Sequence, residues 1–153
     1  MSLVTVIWSM FAAVCLTLAA VHLPVWWNNR EARASLAFSL VTISTAAFAI
    51  CELWMLQVRT PGEYATALKW AQIPITITVV GCVGFVHFYL GAGRPWLAFG
   101  AIGLRVAALP LNFLTGQNLN YREITALHRT PLLGEPVSVA LGVPNPWMLV
   151  GQA

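Results

Sequence analysis

Four long apolar runs constrain this chain more than any other feature of its sequence. They cover residues 3–26, 34–56, about 70–90 and 96–114. A membrane-spanning helix needs about 20 mostly apolar residues, because each residue advances about 1.5 Å across a hydrocarbon core roughly 30 Å thick. Charged residues make up only 8% of the chain, against about 25% in soluble domains. The sequence therefore predicts an integral membrane protein, whose partner is the lipid bilayer rather than nucleic acid.

Short connections separate the apolar runs, so neighbouring helices should be antiparallel and form a single domain over residues 1–153. We predict an all-α fold, a polytopic membrane helix bundle of four spans with the start of a fifth at Trp147 and a long extracytoplasmic loop at residues 115–146. Two sets of small or polar residues recur at helical spacing, and both should point into the bundle. These sets are Thr42, Thr45, Ala49 and Glu52, and Ala101, Arg105, Ala108 and Asn112.

Glu52, Arg105 and Asn112 are candidate functional residues, because ionisable and strongly polar side chains are costly in hydrocarbon. At about 1.5 Å per residue, Glu52 and Arg105 lie at different depths, whereas Asn112 matches the depth of Glu52 better. Two interpretations stay open for these residues, a polar packing contact or a ligand site. We expect Glu52 to find a positive partner in the loop, either Arg122 or Arg129.

The loop at residues 115–146 is the longest polar stretch of the chain. Loops of this length in compact domains are usually functional or disordered. Its four prolines and interspersed apolar residues favour an ordered cap on the bundle. Its polar residues are therefore candidates either for ligand contacts or for ordering the loop. They are Asn120, Tyr121, Arg122, Glu123, Arg129 and Glu135.

The closing stretch LNYREITALHRTPLLGEPVSVALGVPNPWMLVGQ resembles the N-terminal multi-span sensor region of bacterial membrane histidine kinases, often hybrid kinases with PAS domains. The earlier pieces VHLPVWW, CELWMLQVRTPGEYATALKWAQIP and VGFVHFYLGAGRPWLA resemble the same region in order and spacing. The resemblance covers essentially the whole chain. It attaches no known ligand or catalytic role to any single residue.

This resemblance implies a membrane-embedded sensory input module of a two-component system, in the inner (plasma) membrane of a bacterium. It further implies a parent kinase that is a homodimer, with more spans and cytoplasmic domains that phosphorylate a response regulator. The chain itself has no phosphoacceptor helix and no Gly-rich ATP-binding box, so we expect it to be no enzyme and to be truncated within the fifth span.

Charge alone does not decide the orientation. With the N-terminus outside, the inner connections carry Arg30, Arg33 and Arg94, while the outer ones carry four basic residues. The positive-inside rule applies best to short connections near the spans, and the inner connections are the two shortest. The outside N-terminus that the resemblance implies is therefore the expected orientation.

His22 and His87 each lie about four residues from the end of a span, on the same side of the membrane. Two histidines at one depth on nearby helices are able to ligate a haem iron. The alternative is that each imidazole forms a hydrogen bond near the membrane interface, and we favour it because no further ligand pattern is present. We therefore expect no cofactor.

The three cysteines, Cys15, Cys51 and Cys82, lie inside apolar runs without metal-ligand spacing. We expect them to pack as small apolar residues, and we expect no metal site. Two competing functions stay open beside the sensor module, namely a haem- or quinone-associated redox subunit and a transporter fragment. The absence of further histidine pairs disfavours the first, and the absence of paired broken helices disfavours the second.

Overall fold

The computed structural model of the chain describes residues 2–91, 94–114 and 118–148. It contains four α-helices followed by two β-strands. The helices are Leu3–Asn28 (α1), Arg33–Gln57 (α2), Pro61–Leu90 (α3) and Pro95–Leu114 (α4), and the strands are Tyr121–Leu132 (β1) and Glu135–Pro144 (β2). All four helices are long and apolar enough to cross a membrane, as the apolar runs predicted. The predicted fifth span continues beyond Met148, outside the described residues.

Helix α3 begins much earlier than predicted. The prediction placed its start near residue 70, which is wrong, because the helix begins at Pro61. Thr60 caps it by accepting a hydrogen bond of 3.3 Å from the backbone N–H of Glu63. A capping threonine, a proline at the first helical position and an acidic residue in the first turn form a strong helix-start signal. The polar residues before position 70 are therefore helical.

The all-α prediction is wrong for the segment that follows α4. Strands β1 and β2 pair in antiparallel fashion from Tyr121↔Pro144 to Leu132↔Glu135. We call residues 121–144 the hairpin. Its two turn residues, Leu133 (φ 53°) and Gly134 (φ 83°), both have positive φ, as a type I′ turn requires. The predicted loop is thus a two-stranded sheet, and its extracytoplasmic location stays a prediction.

The helices form an antiparallel bundle in which α2 lies between α1 and α3, and α4 packs on α3. Small residues bring α2 and α3 together. A Cβ added at Gly81 would lie 2.7 Å from Cγ2 of Val41 and 3.3 Å from the carbonyl oxygen of Ala37. One hydrogen bond of 2.8 Å joins the Ser44 and Thr78 hydroxyls across the same interface. The bundle therefore packs by close backbone approach, as helices in lipid do.

The two predicted inward faces are found, with one exception. Thr42, Ala49, Arg105, Ala108 and Asn112 are buried, and Thr45 and Glu52 are partly buried. Ala101 is exposed, because α4 contacts only α3 closely. The bundle has two ends, which we name for reference. The hairpin end contains Ser2, Val58 and Leu114, and the opposite end contains Asn29 and Gly91.

Candidate functional site

The hairpin lies across one end of the helix bundle. The residues that flank its two strands, which we call its base, are held by Asn112 of α4. This side chain is fully buried. Its Nδ2 donates a hydrogen bond of 2.9 Å to the carbonyl oxygen of Lys69 in α3. Its Oδ1 accepts one of 2.9 Å from the backbone N–H of Leu119, just before β1. One amide group therefore joins α3, α4 and the start of the hairpin.

Two further buried asparagines hold the two strands together at the base. Asn118 Oδ1 accepts hydrogen bonds from the backbone N–H groups of Asn120 (2.9 Å) and Tyr121 (2.7 Å). Asn145, which follows β2, donates from Nδ2 to the carbonyl oxygen of Asn118 at 2.9 Å. Asparagine often organises turns in this way, because its short side chain reaches backbone groups nearby. The base of the hairpin is thus a buried polar joint.

The middle of the hairpin packs on α3 and α2. Ile124 of β1 and Ala140 of β2 are buried against Ala65, in the first turns of α3. The Ser138 hydroxyl donates a hydrogen bond of 2.6 Å to the carbonyl oxygen of Val58, directly after α2. The last carbonyl groups of a helix have no partner within the helix, so Ser138 satisfies one of them. The hairpin therefore also closes the C-terminal end of α2.

The tip of the hairpin reaches the start of α1. Glu135 accepts a hydrogen bond of 2.7 Å from the backbone N–H of Leu3, and its other carboxylate oxygen accepts one from the Ser2 hydroxyl. The first N–H groups of a helix are unpaired and carry partial positive charge, which favours an anion there. Glu135 is therefore a cap on α1 supplied from the other end of the chain.

A polar pocket of about 400 Å³ lies beneath this tip, between the hairpin and the ends of α1 and α2. Two arginines and one carboxylate line it, so its formal charge is positive. A ligand in this pocket would touch the hairpin and two helix ends at the same time. The polar side chains that line the pocket are Ser2, Gln57, Arg59, Arg129, Glu135 and Ser138.

Comparison with family models, with curated proteins and with solved structures finds no match to this chain. The resemblance to kinase sensor regions therefore stays a prediction. What the hairpin does is inferred below from the contacts that it makes with the helix ends.

Glu52 does not pair with the loop arginines, contrary to our expectation. It accepts a hydrogen bond of 3.1 Å from Nε1 of Trp8 in α1. Arg129 lines the pocket at the hairpin tip together with Gln57, which lies about 7.5 Å further along α2 than Glu52. Helix α1 packs beside this face of α2, so the indole of Trp8 lies next to the carboxylate of Glu52. Glu52 therefore belongs to the contact between α1 and α2.

Arg105 is buried and faces α3, where its Nη2 donates a hydrogen bond of 2.9 Å to Oε1 of Gln72. This bond joins Arg105 to a neutral amide on the neighbouring helix, while the carboxylate of Glu52 accepts its hydrogen bond from α1. Glu52 and Arg105 also differ in depth along the helices, which disfavours a pair between them. The contact holds α4 to α3, so the polar packing interpretation accounts for it.

The predicted loop candidates divide into structural and exposed positions. Tyr121 is partly buried and packs beside Ile124, and the carbonyl oxygen of Asn120 accepts a hydrogen bond of 3.0 Å from the backbone N–H of Asn145. Arg122 and Glu123 are exposed on β1. Only Arg129 and Glu135 reach the pocket.

His22 and His87 have different surroundings. His22 packs against Phe38 of α2, with ring centroids 4.6 Å apart, and Phe38 in turn contacts Phe85 of α3. His87 is exposed and faces a groove near α4. The two imidazoles therefore contact different neighbours in the structure. Within the described ranges, no group of three or more His, Cys, Asp or Glu residues is arranged to hold a metal ion, and the three cysteines are free thiols.

Several residues that build the site were not predicted. Ser2 carried a usable signal, because a serine directly before an apolar run is a typical helix cap. Gln72 is polar within an apolar run, and this could have marked it as the partner of Arg105. Ser138, Asn118 and Asn145 carried no signal, because their roles depend on a hairpin that the pattern did not predict.

Proposed function

We propose that this chain is the membrane-embedded sensory input module of a bacterial two-component histidine kinase, with the hairpin as its input element. One observation carries the proposal, namely that the hairpin and the residue Leu119 just before it contact all four helices at one end of the bundle. Asn112 of α4 bonds Lys69 of α3 and Leu119, just before the hairpin. Within the hairpin, Ser138 bonds Val58 at the end of α2, and Glu135 bonds Leu3 of α1. A sensor needs an element whose arrangement a stimulus biases and whose movement the rest of the molecule follows. The hairpin borders the pocket, where a stimulus would act, and it contacts the helices that would follow its movement.

In this proposal the hairpin end faces the outside of the bacterial inner membrane, and signalling domains beyond this chain lie in the cytoplasm. The parent protein is a homodimer that phosphorylates a response regulator. Movement of the hairpin shifts the helices relative to one another, and their opposite ends carry the shift to the cytoplasmic side. The chain itself performs no catalysis.

The contacts suggest which part of the hairpin moves. The base is held by buried amides of Asn112 and Asn118, whereas the bond from Leu3 to Glu135 at the tip is exposed. An anionic ligand in the positive pocket would pair with Arg59 and Arg129 and compete with Glu135 for the start of α1. The tip would then leave α1 while the base stays in place. An anion is therefore the class of stimulus that the pocket fits.

The first test is the gene itself, because an in-frame kinase core downstream of codon 153 is required. The second uses the full-length gene product in liposomes and measures transfer of the γ-phosphate of ATP to its own histidine. Neutralising the pocket with Arg59→Gln and Arg129→Gln should change resting phosphorylation by about fivefold or more, the usual size of an allosteric coupling. The matched control is Arg122→Gln, which removes the same charge from an exposed position on β1.

Two results contradict the proposal. One is a downstream sequence without a kinase core. The other is a pair of pocket variants whose phosphorylation equals that of the Arg122 control.

A further inference from the structure

A groove of about 600 Å³ opens at the opposite end of the bundle, between α2, α3 and α4. It exists because α4 is held to α3 by Arg105 and Asn112, which lie further toward the hairpin end. Nearer the opposite end, the residues that line the groove include small ones, among them Gly84 of α3. A Cβ added at Gly84 would make only ordinary contacts, at 3.7 Å or more. Ala98 of α4 also lines the groove, so the two helices leave a space between them.

The walls of the groove are apolar, and its rim is basic. Arg30 and Arg33 stand at the rim, and the described residues that line the groove include no acidic side chain. The guanidinium carbon of Arg30 lies 4.0 Å from the centroid of the Trp26 ring and 4.8 Å from that of Trp27. Stacking of this kind attracts the cation to the ring faces and limits its orientations. Paired tryptophans at a helix end are also typical of the membrane interface.

We propose that this groove binds an anionic phospholipid of the surrounding bilayer. Its acyl chain lies along the apolar walls formed by Leu36, Leu40, Val80 and Ile102. Its phosphate lies between Arg30 and Arg33, which donate charge-assisted hydrogen bonds to it. Basic pockets between membrane helices bind anionic headgroups for this reason.

Charge decides between a lipid and another helix as the occupant. An apolar helix packed into the groove would cover Leu40 and Val80 but would leave Arg30 and Arg33 without an anion. A phospholipid places its acyl chain against the apolar walls and its phosphate beside the two arginines at the rim. The groove volume of about 600 Å³ lies within the range of about 300–1,000 Å³ that is usual for ligand sites, so the groove has room for a part of the lipid. This inference does not depend on the proposed sensor function.

The test is native mass spectrometry of the complete chain, released from mild detergent in the presence of equal amounts of phosphatidylglycerol and phosphatidylcholine with the same acyl chains. We expect adducts of phosphatidylglycerol to predominate. Arg30→Gln together with Arg33→Gln should reduce this preference by about fivefold for each arginine removed. Ala98→Phe fills the groove and should reduce the adducts of both lipids. Arg94→Gln is the matched control, because Arg94 is an exposed arginine at the same end that does not line the groove.

Three outcomes overturn the inference. Equal retention of the two lipids would mean that the charge of the headgroup does not contribute to binding. An effect of Arg94→Gln as large as that of the double variant means that the attraction is spread over the surface. A second copy of the chain in place of lipid, lost in the Ala98 variant, means that the groove is a helix-packing site. Arg30 and Arg33 are exposed, so their variants test the headgroup even if Ala98→Phe prevents folding.

Discussion

Glu135 accepts a hydrogen bond of 2.7 Å from the backbone N–H of Leu3, although 132 positions of the chain separate the two residues. The contact places the turn of the hairpin on the first turn of α1. The base of the hairpin is fixed on α4 by Asn112. A single element thus spans the bundle from its last helix to its first, with its base beside α4 and its tip on α1.

Glu135→Gln should lower stability by about 0.5–1 kcal/mol, because the amide still reaches Leu3 but no longer carries the charge that the helix start favours. Glu135→Ala should cost about 1–2 kcal/mol, because the capping contact is lost. Hydrogen exchange at Leu3 should become faster in both variants. Glu123→Gln is the control, since it removes the same charge from an exposed position of the same hairpin. Unchanged exchange at Leu3 in the alanine variant would show that the contact does not hold the tip.

Asn112→Ala should be among the most destabilising polar-to-alanine changes in the chain. It leaves the buried N–H of Leu119 without its partner, at about 1–3 kcal/mol, and removes the second hydrogen bond of the Lys69 carbonyl, which stays bonded within α3. Asn112→Asp keeps an acceptor for Leu119 but loses the donor to Lys69 and buries an acidic group, so it should recover little of this loss. Unfolding in detergent measures the loss, with Asn28→Ala as an exposed comparison. A loss no larger than that of the Asn28 variant would mean that the joint is not structural.

Gly81→Ala should destabilise the packing of α2 on α3 by about 1–3 kcal/mol, because the new methyl group would overlap the side chain of Val41. Gly103→Ala is the control, since a Cβ there meets nothing within 4 Å. Adding Val41→Ala to the Gly81 variant should restore part of the loss. The melting temperature in detergent reports each change. Equal melting temperatures for the Gly81 and Gly103 variants would contradict the close approach of the two helices.

The helices could be predicted from the sequence because a span depends on a simple property, the length of an apolar run. The start of α3 at Pro61 was also encoded locally, in the Thr60 cap, but apolarity alone did not reveal it. The hairpin was not predictable in this way. Its turn is Leu133–Gly134 rather than a typical Asn-Gly pair, and Pro131 and Pro136 within the strands indicate a loop.

The candidate site was predicted only in part, because its residues act through partners distant in the sequence. Glu135 and Asn112 were singled out for their polarity, and both are found to be tertiary links. The predicted partner of Glu52 was wrong, because the depth of a residue along its own helix does not determine which neighbouring helix packs beside it. Trp8 occupies that place, and only the arrangement of α1 against α2 reveals it.

The orientation can be tested by labelling single cysteines in a chain whose three native cysteines are replaced. Thr130→Cys lies on the exposed part of the hairpin, and Glu31→Cys lies in the connection at the opposite end. A membrane-impermeant maleimide added to intact cells should label the Thr130 variant and reach the Glu31 variant only after permeabilisation. Labelling in the reverse pattern would invert the topology. Labelling of both from outside would mean that the helices do not separate the two ends across a membrane.

The central claim, that the hairpin sets the state of the bundle, is tested most directly by Gly142→Ala in the proposed parent kinase. A Cβ at Gly142 would lie 2.9 Å from Cα of Ile124, so the strands must separate there. Gly62→Ala is the control, because a Cβ there meets nothing within 4 Å. Autophosphorylation in liposomes should change by about fivefold or more in the Gly142 variant and stay at the wild-type level in the control. Wild-type autophosphorylation in a Gly142 variant whose strand amides exchange faster would contradict the claim.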